Sequence, residues 1–429
     1  MKVKFAHISD VHLGAWRNEK LNELGYIAFE RAVNIIIEEN LDFVIISGDL
    51  YDVSNPKVEV IDLATKELRK LRDHGIPVYG IMGSHDFSPS NKSMIRPLIT
   101  AGLYIDVSKG ESTKDEKLKL DFCIDQKTKI KITGLRARKR CLEIEDYHIL
   151  DLKSLEKETG IKIFVLHTLL SELKPIEFKD MQSTPKSLLP QGFDYYAGGH
   201  LHKTVPEKLR EVEKSLKIDD KTNIVYPGSL APVNFRELEQ YKFGGFCIIT
   251  GDIVNETSIS NLNVKYIPIK VKEVVSLLID CNNKSVTQVQ DFLKKKIIET
   301  DFKDKIITIR MYGTLSSGRA YELKVDEIIQ KIKELGAYEV LINKSSLTSK
   351  EYTPISVMVG KTNEEIENSL IYEHAQKIKI VNLDKKDLEN KIHDFLSIIG
   401  KEREEGTKVK DYDKDLVNSF KKVFQLEEE

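Results

Sequence analysis

Five short polar motifs, each standing directly after an apolar run of strand length, constrain this chain more than any other feature. Ser9-Asp10-Val11-His12 follows the run Val3 to Ile8, Gly48-Asp49-Leu50-Tyr51-Asp52 follows Asp42 to Ser47, and Gly83-Ser84-His85-Asp86 follows Ile76 to Met82. His167 follows Ile161 to Leu166, and Gly198-Gly199-His200-Leu201-His202 follows Phe193 to Ala197. Segments of helical periodicity, Leu21 to Asn40 and Val58 to His74, separate the first three runs. The N-terminal part therefore reads βαβαβ, an α/β sheet with helices on its faces. In such sheets ligands bind outside the carboxyl ends of the strands, where all five motifs fall. Further strands are expected at Lys129 to Thr133, Asn223 to Tyr226 and Phe246 to Ile249.

The residue types point to metal chemistry. Alternate residues at a strand end project the same way, so Asp10 and His12 can bind one ion together, and His200 and His202 form a second such pair. Asp49 offers two carboxylate oxygens and can bridge two ions. Imidazole mixed with carboxylate suits manganese, iron or zinc better than calcium or magnesium, and a pair of manganese-like ions is expected. Singly, each motif has a plainer reading: Asp-x-His caps a helix, Gly-Asp makes a turn, and a strand-end His is a satisfied core or surface residue. Five in this order and placement converge on a metal centre. His7, His74, His148, His374 and His393 lack that context and read as ordinary.

At 429 residues the chain exceeds one ordinary core, and roughly 150 residues per domain implies two or three units. Apolar residues at 41% and charged residues at 31% describe a globular chain with a heavily charged surface, not a disordered one. No stretch approaches the roughly 20 apolar residues of a membrane span. The N-terminus runs straight into a strand instead of a signal sequence, so an intracellular protein without a membrane partner is expected. Cys123, Cys141, Cys247 and Cys281 are scattered without metal-finger spacing and read as buried thiols. With a net charge of −2, any polyanion must be met by a local basic surface.

The texture changes past Asn263. Strand Lys265 to Val271, helix Val286 to Glu299, strand Lys305 to Met311, helix Val325 to Leu335 and strand Tyr338 to Lys344 form a smaller β/α alternation without metal-binding or nucleophilic clusters. It reads as a second domain that shapes or covers the site. From Thr362 the chain is highly charged, with helical segments at Leu388 to Ile399 and Asp413 to Leu426; Val417, Phe420 and Phe424 share one face of the last. That face docks on a partner or packs back on its own protein. The expected division is 1–263, 264–361 and 362–429.

The series Asp10-x-His12, Gly48-Asp49-x-x-Asp52, Gly83-x-His85-Asp86, His167 and Gly199-His200-x-His202 resembles the calcineurin-like metallophosphoesterase superfamily. Within it, His12-Leu13-Gly14, the turn Tyr226-Pro227-Gly228-Ser229 and the second domain with its helical tail resemble the meiotic-recombination-eleven or SbcD family of DNA double-strand-break repair nucleases, archaeal in style. The resemblance implies an α/β fold: a sandwich of mixed β-sheets flanked by helices, a smaller α/β capping domain, and a helical tail that binds an ATPase. It also implies that Asp10, His12, Asp49 and His202 hold one ion and that Asp49, position 84, His167 and His200 hold the other. His85 would act on the leaving oxygen with its ring oriented by Asp86. Two departures stand out. Ser84 replaces the family's Asn, so it coordinates weakly, acts through a water, or leaves the second ion loosely held. Asp52 stands where many archaeal members carry His, which gives it a supporting or turn-forming part.

The implied activity is manganese-dependent phosphodiester hydrolysis, 3'-5' exonucleolytic on duplex ends and endonucleolytic on single-stranded DNA. The family works as a homodimer with a coiled-coil ABC ATPase of the Rad-fifty or SbcC type, in the cytoplasm at the nucleoid. Arg136, Arg138, Lys139 and Arg140 are either phosphate-positioning cations or a solvated loop. Met94, Ile95, Leu98, Ile99 and Leu103 form an apolar helical set that serves dimerisation or the core. Two other readings stay open: a metallophosphatase or nucleotide phosphodiesterase, and a scaffold whose site is weakened at Ser84.

Overall fold

A computed structural model describes residues 1–88, 92–211, 215–219, 222–255, 257–350, 365, 367–368, 370–372, 384–400 and 409–424. The chain divides into two units, Met1–Ser349 and Lys350–Glu429. The first opens with β1 (Lys2–Ile8), α1 (Glu19–Glu38), β2 (Phe43–Ser47), α2 (Val58–Asp73), β3 (Val78–Ile81), α3 (Ile95–Thr100) and β4 (Ile105–Asp106). Strands β1 to β4 lie parallel in that order. A separate hairpin, β5 (Gly110–Ser112) and β6 (Leu118–Leu120), precedes β7 (Cys123–Ile124) and β8 (Lys131–Leu135). After the short helices α4 (Glu143–His148) and α5 (Leu152–Lys157) come β9 (Lys162–His167), β10 (Tyr195–Gly199), β11 (Leu216–Lys217) and β12 (Ile224–Val225). Helix α6 (Phe235–Tyr241) then leads into the long hairpin β13 (Gly244–Asn255) and β14 (Ser258–Ile269).

Two mixed sheets result. One runs β11-β14-β13-β1-β2-β3-β4 and the other β12-β10-β9-β8-β7. Their strands alternate apolar residues on both faces, because each sheet is covered twice. Phe5, Phe43, Ile45 and Tyr79 of the first meet Ile163, Val165, Tyr195 and Ala197 of the second in the sandwich core. Ala6, Ile8, Val44 and Ile46 turn outward beneath the buried stripes of α1 and α2. On the other outer face Phe164, Leu166 and Tyr196 pack with Phe193 and Tyr147. Because β1, β2 and β3 run parallel in one sheet and β9 and β10 in the other, the carboxyl ends of each set share one edge.

The expected boundary at 263/264 falls inside β14. Val264 and Tyr266 enter the sandwich core and pair with Ile249 and Cys247, so what reads as the first strand of a new domain closes the old sheet. The smaller sheet starts at β15 (Val274–Asp280), which went unexpected, and continues with α7 (Val286–Glu299), β16 (Ile306–Leu315), α8 (Val325–Glu334) and β17 (Glu339–Ser349). Its three strands are parallel, with β16 central. Helix α7 starts where Ser285 and Gln288 form a reciprocal capping box. This sheet is seated on the sandwich through Leu21, Leu24, Leu238 and Ile306. A bidentate pair between Arg310 of β16 and Glu239 of α6 adds to the seat.

Of the apolar set near the third motif, Ile95, Leu98 and Leu103 are buried in the core and Met94 and Ile99 pack against it, so the core reading accounts for them. Cys247 and Cys281 are buried, whereas Cys123 and Cys141 are half-exposed; all four thiols are free. In the second unit, helices Lys385–Ile399 and Val409–Phe424 are formed, and the Phe395 and Phe420 rings meet edge to face at 5.1 Å. Phe420 thus has a partner within its own unit, while Val417 is exposed; the side chain of Phe424 lies outside the described residues. No described helix is long and apolar enough to cross a membrane.

Candidate metal centre

The strand-end motifs converge because their backbone leaves the sheet sharply. Asp10, His12, Asp49 and His200 all have positive φ, at 49°, 47°, 51° and 83°. Left-handed backbone costs a non-glycine residue about 1–3 kcal/mol and persists only where its surroundings over-determine it. Here the first two loops bind each other: the His12 amide donates to Asp49 O at 3.0 Å and the Leu13 amide to Leu50 O at 3.0 Å. Glycines permit the close approach. A Cβ on Gly48 would stand 2.3 Å from Nδ1 of His167, and one on Gly83 would stand 2.2 Å from Oδ1 of Asp49.

Among the described residues three groups bring possible donor atoms within 4.8 Å of one another. Two share no residue and form separate donor sets, Asp10, His12 and His202 in one and Asp49, His167 and His200 in the other; the third, His12, Asp52 and His85, reuses His12. Each of the two separate sets takes residues from both sheets. In the first, Nε2 of His12 lies 3.1 Å from Nε2 of His202, which is 3.6 Å from Oδ1 of Asp10. Donors about 2.1 Å from a common ion stand about 3.0–3.4 Å apart in octahedral or tetrahedral geometry, so the His12–His202 spacing is that of ligands on one ion and the Asp10–His202 spacing is slightly wider. In the second set, Oδ2 of Asp49 is 3.1 Å from Nε2 of His167 and 3.6 Å from Nε2 of His12. Oδ1 of Asp49 accepts the His85 amide at 2.7 Å. One oxygen, not two, is therefore left between the sets.

The fit to divalent ions can be tested on the ring nitrogens. Nδ1 of His167 donates to Ser47 O at 2.7 Å, Nδ1 of His12 faces Oδ1 of Asp52 at 3.1 Å, and Nδ1 of His202 faces Oε1 of Glu237 at 2.7 Å. Each oxygen fixes the tautomer and leaves Nε2 with its lone pair toward the other donors. Nε2 of His167 is fully buried with no hydrogen-bond partner, although Oδ2 of Asp49 is beside it. The two atoms sit side by side instead of bonding, as two ligands of one ion do. Without an ion, burial favours the neutral forms of both, but their attraction outweighs it: Asp49 is held well below the usual carboxylate range and His167 is raised. Burial and the neighbouring His167 charge push His200 down to about 4. For His202 burial works downward, yet Glu237 and Asp10 raise it to about 9.

His85 is exposed, its ring 4.8 Å from that of His12. Its Nδ1 contacts the carbonyl of Asp52 at 2.6 Å. This corrects the expectation that Asp86 orients the ring. Asp86 is buried and accepts the amides of Gly83 at 2.9 Å and Tyr51 at 3.1 Å, tying the second and third loops together. Burial and the nearby Asp49 charge raise Asp86 to about 7. Asp52 works twice, with its side chain behind His12 and its carbonyl behind His85. Ser84 is half-buried between Gly83 and His85. Among the expected basic residues, Arg138 is paired with Glu145 and Asp146, and Lys139 and Arg140 are exposed. Arg136 lies over the Phe87 ring at 5.4 Å, two residues from His85. Beside His200 and His202 opens a cavity of about 530 Å³ walled by Phe178, Met181, Arg236 and Tyr241.

Residues 3–204 match the family described as calcineurin-like phosphoesterase. The chain carries a calcineurin-like phosphoesterase domain. The domain takes in the motifs from Asp10 to His202 and makes the chain a metal-dependent hydrolase of mixed α/β fold. Over most of its length the chain is also similar to archaeal proteins described as DNA double-strand break repair protein Mre11. It is 25% identical to that of Archaeoglobus fulgidus, over 87% of this chain and 84% of the relative. With that of Sulfolobus acidocaldarius it shares 27% identity over 88% and 91%, and with that of Methanococcus maripaludis 27% over 86% and 98%. A dimetal phosphatase from Danio rerio superposes with a TM-score of 0.36 and 12% identity, covering 62% of this chain and 98% of its own, a likeness on which nothing further rests.

Glu237 is the site residue that sequence reading missed. It stands 35 positions from His202 on a charged helix, and nothing local sets it apart. The one signal is Asn234 three residues earlier, a helix N-cap with an acidic residue at N3, which announces a helix start but not its partner.

Proposed function

We propose that the chain is a Mre11-type nuclease that hydrolyses phosphodiester bonds at DNA ends and in single strands with two manganese ions. The observation that carries the two-ion reading is Oδ2 of Asp49, set between a ligand nitrogen of each donor set. Asp10, His12, Asp49 and His202 would hold one ion, and Asp49, His167 and His200 the other, with Ser84 completing it directly or through water. When bound, such ions draw a nucleophile from water near neutral pH and neutralise charge on the phosphate oxygens. The protein's own part is to orient and to move a proton. The Asp52 carbonyl accepts Nδ1–H of His85, so the imidazolium form of the ring would present Nε2–H to protonate or hydrogen-bond the departing oxygen. Arg136, beside the His85 loop, and the exposed Lys139 and Arg140 would position the DNA backbone.

DNA as the substrate, the homodimer, the coiled-coil ABC ATPase partner docking on the tail around Val417, Phe420 and Phe424, and action at the nucleoid rest on similarity to the Mre11 proteins. The test is cleavage of single- and double-stranded oligonucleotides against nitrophenyl phosphate esters, with manganese. Oligonucleotides should be cleaved, and His85→Ala should lower kcat by about 10² or more while leaving metal content intact. Turnover of small esters alone would make the chain a phosphatase; absence of both activities would make it a scaffold.

A further inference from the structure

Helix α6 holds the metal centre with one face and the smaller sheet with the other. Glu237 and Glu239 are two residues apart, about 200° around a helix, so their carboxylates leave on opposite sides. Glu237 is buried, and its oxygens are saturated. Oε1 accepts Nδ1–H of His202 at 2.7 Å and Nδ2–H of Asn234 at 2.7 Å; Oε2 accepts the Ser229 hydroxyl at 2.9 Å and the Val233 amide at 3.1 Å. Four donors give this carboxylate one orientation, and through it the His202 ring has one orientation too. Glu239 receives both Nε and Nη2 of Arg310 at 2.8 Å. The Arg310 guanidinium also lies 5.2 Å over the ring of Phe235, the first residue of α6. Lys242, at the end of the helix, hydrogen-bonds Ser276 of β15, and Leu238 packs against Ile306 of β16. A seven-residue helix is thus clamped from both sides and has little of its own to hold it, since an isolated helix so short is unstable in water.

We propose that Glu237 is a positioning residue for the metal ligand His202, and that α6 makes the affinity of the centre for metal depend on how the β15–β17 sheet is seated. If the Arg310–Glu239 pair opens, α6 loses its clamp, Glu237 loses its place, and the His202 ring is free to turn away from His12 and Asp10. By reciprocity, metal at His202 must tighten the seat of the smaller sheet by the same factor. The inference rests on the metal reading of the site and extends it to a residue 35 positions from its ligand and to a strand outside the phosphoesterase match.

The test uses the full-length chain stripped of metal, titrated with Mn²⁺ by calorimetry, with amide hydrogen exchange followed on β16. Glu237→Ala should weaken the tighter Mn²⁺ site about 10- to 100-fold, and Glu237→Gln, which keeps an oxygen toward Nδ1, should recover most of it. Arg310→Met and Glu239→Gln should each weaken the same site several-fold, and the double variant Glu237→Ala, Arg310→Met should bind no more weakly than Glu237→Ala alone. Mn²⁺ should slow exchange on β16 in the wild type and not in Arg310→Met. Unchanged affinity in Glu237→Ala, or effects that multiply in the double variant, overturn the proposal. Glu239→Gln guards against misfolding of Arg310→Met, because both open the same pair. Failure of the wild type to bind Mn²⁺ would instead refute the metal reading beneath it.

Discussion

His7 shows how residue-scale context decides what an imidazole does. It lies in β1, three positions before Asp10, and is fully buried, with Nδ1 at 2.9 Å from the Tyr195 hydroxyl and Nε2 at 2.9 Å from that of Ser47. Sequence reading set it aside as ordinary, and it stays outside both donor sets. Burial lowers its pKa from 6.5 to about 3, opposed only by contact with Gly198. Between those values the unfolded chain takes up a proton that the folded chain refuses. Stability should therefore fall by up to about 1.4 kcal/mol per pH unit as pH drops from 6.5 toward 3. Urea midpoints measured across that window would check it, and a His7→Gln chain should lack this share of the slope. Gly48 makes the opposite point, since its missing side chain is what matters. With φ at 93° and His167 in the way of any Cβ, Gly48→Ala should cost about 2–4 kcal/mol and weaken metal binding together. A variant as stable and as well metallated as the wild type would contradict this account of the loop. That Asp10, His12, Asp49, His167, His200 and His202 gather in one place was legible because strand-end position and residue type coincide in each. Glu237 was not, because its meaning comes from folding alone, and the part of Asp86 was misjudged because sequence adjacency to His85 is not contact.

At the scale of elements, long periodic segments announced themselves. Helices over Leu21 to Asn40, Val58 to His74 and Val286 to Glu299 were expected within two residues of where α1, α2 and α7 lie. What sequence could not supply was sheet membership. The alternation in β14 is the same whether the strand begins a sheet or ends one, and only pairing with β13 decides it. Strand β15 escaped because charged Lys270, Lys272 and Glu273 precede it and its residues are mostly half-exposed. Helix α6 is too short for periodicity, yet its N-cap was readable. Asn234 accepts the Glu237 amide at 3.0 Å, so Asn234→Ala should cost about 1 kcal/mol, seen as a lower denaturant midpoint. A larger loss would indicate that the second Asn234 bond, to the Glu237 carboxylate, carries weight of its own.

On the scale of the molecule, the buried apolar clusters found among the described residues lie within Met1–Ser349. On the nuclease reading proposed above, a chain ended after Lys401 should keep manganese binding and cleavage of single strands while losing association with the proposed ATPase partner, as measured by co-purification; retained association would remove the tail from that role. The donor sets carry a further consequence. Asp10, His12 and Asp49 extend from one sheet and His167, His200 and His202 from the other, so an ion held by either donor set would be a rivet driven through both plates of the sandwich. Metal content then becomes a mechanical property: at a hundredfold excess over Kd each filled site adds about 2.7 kcal/mol to the folded state. Chelation should lower Tm before any ligand is mutated, and heat and metal scarcity should act on this protein as one stress.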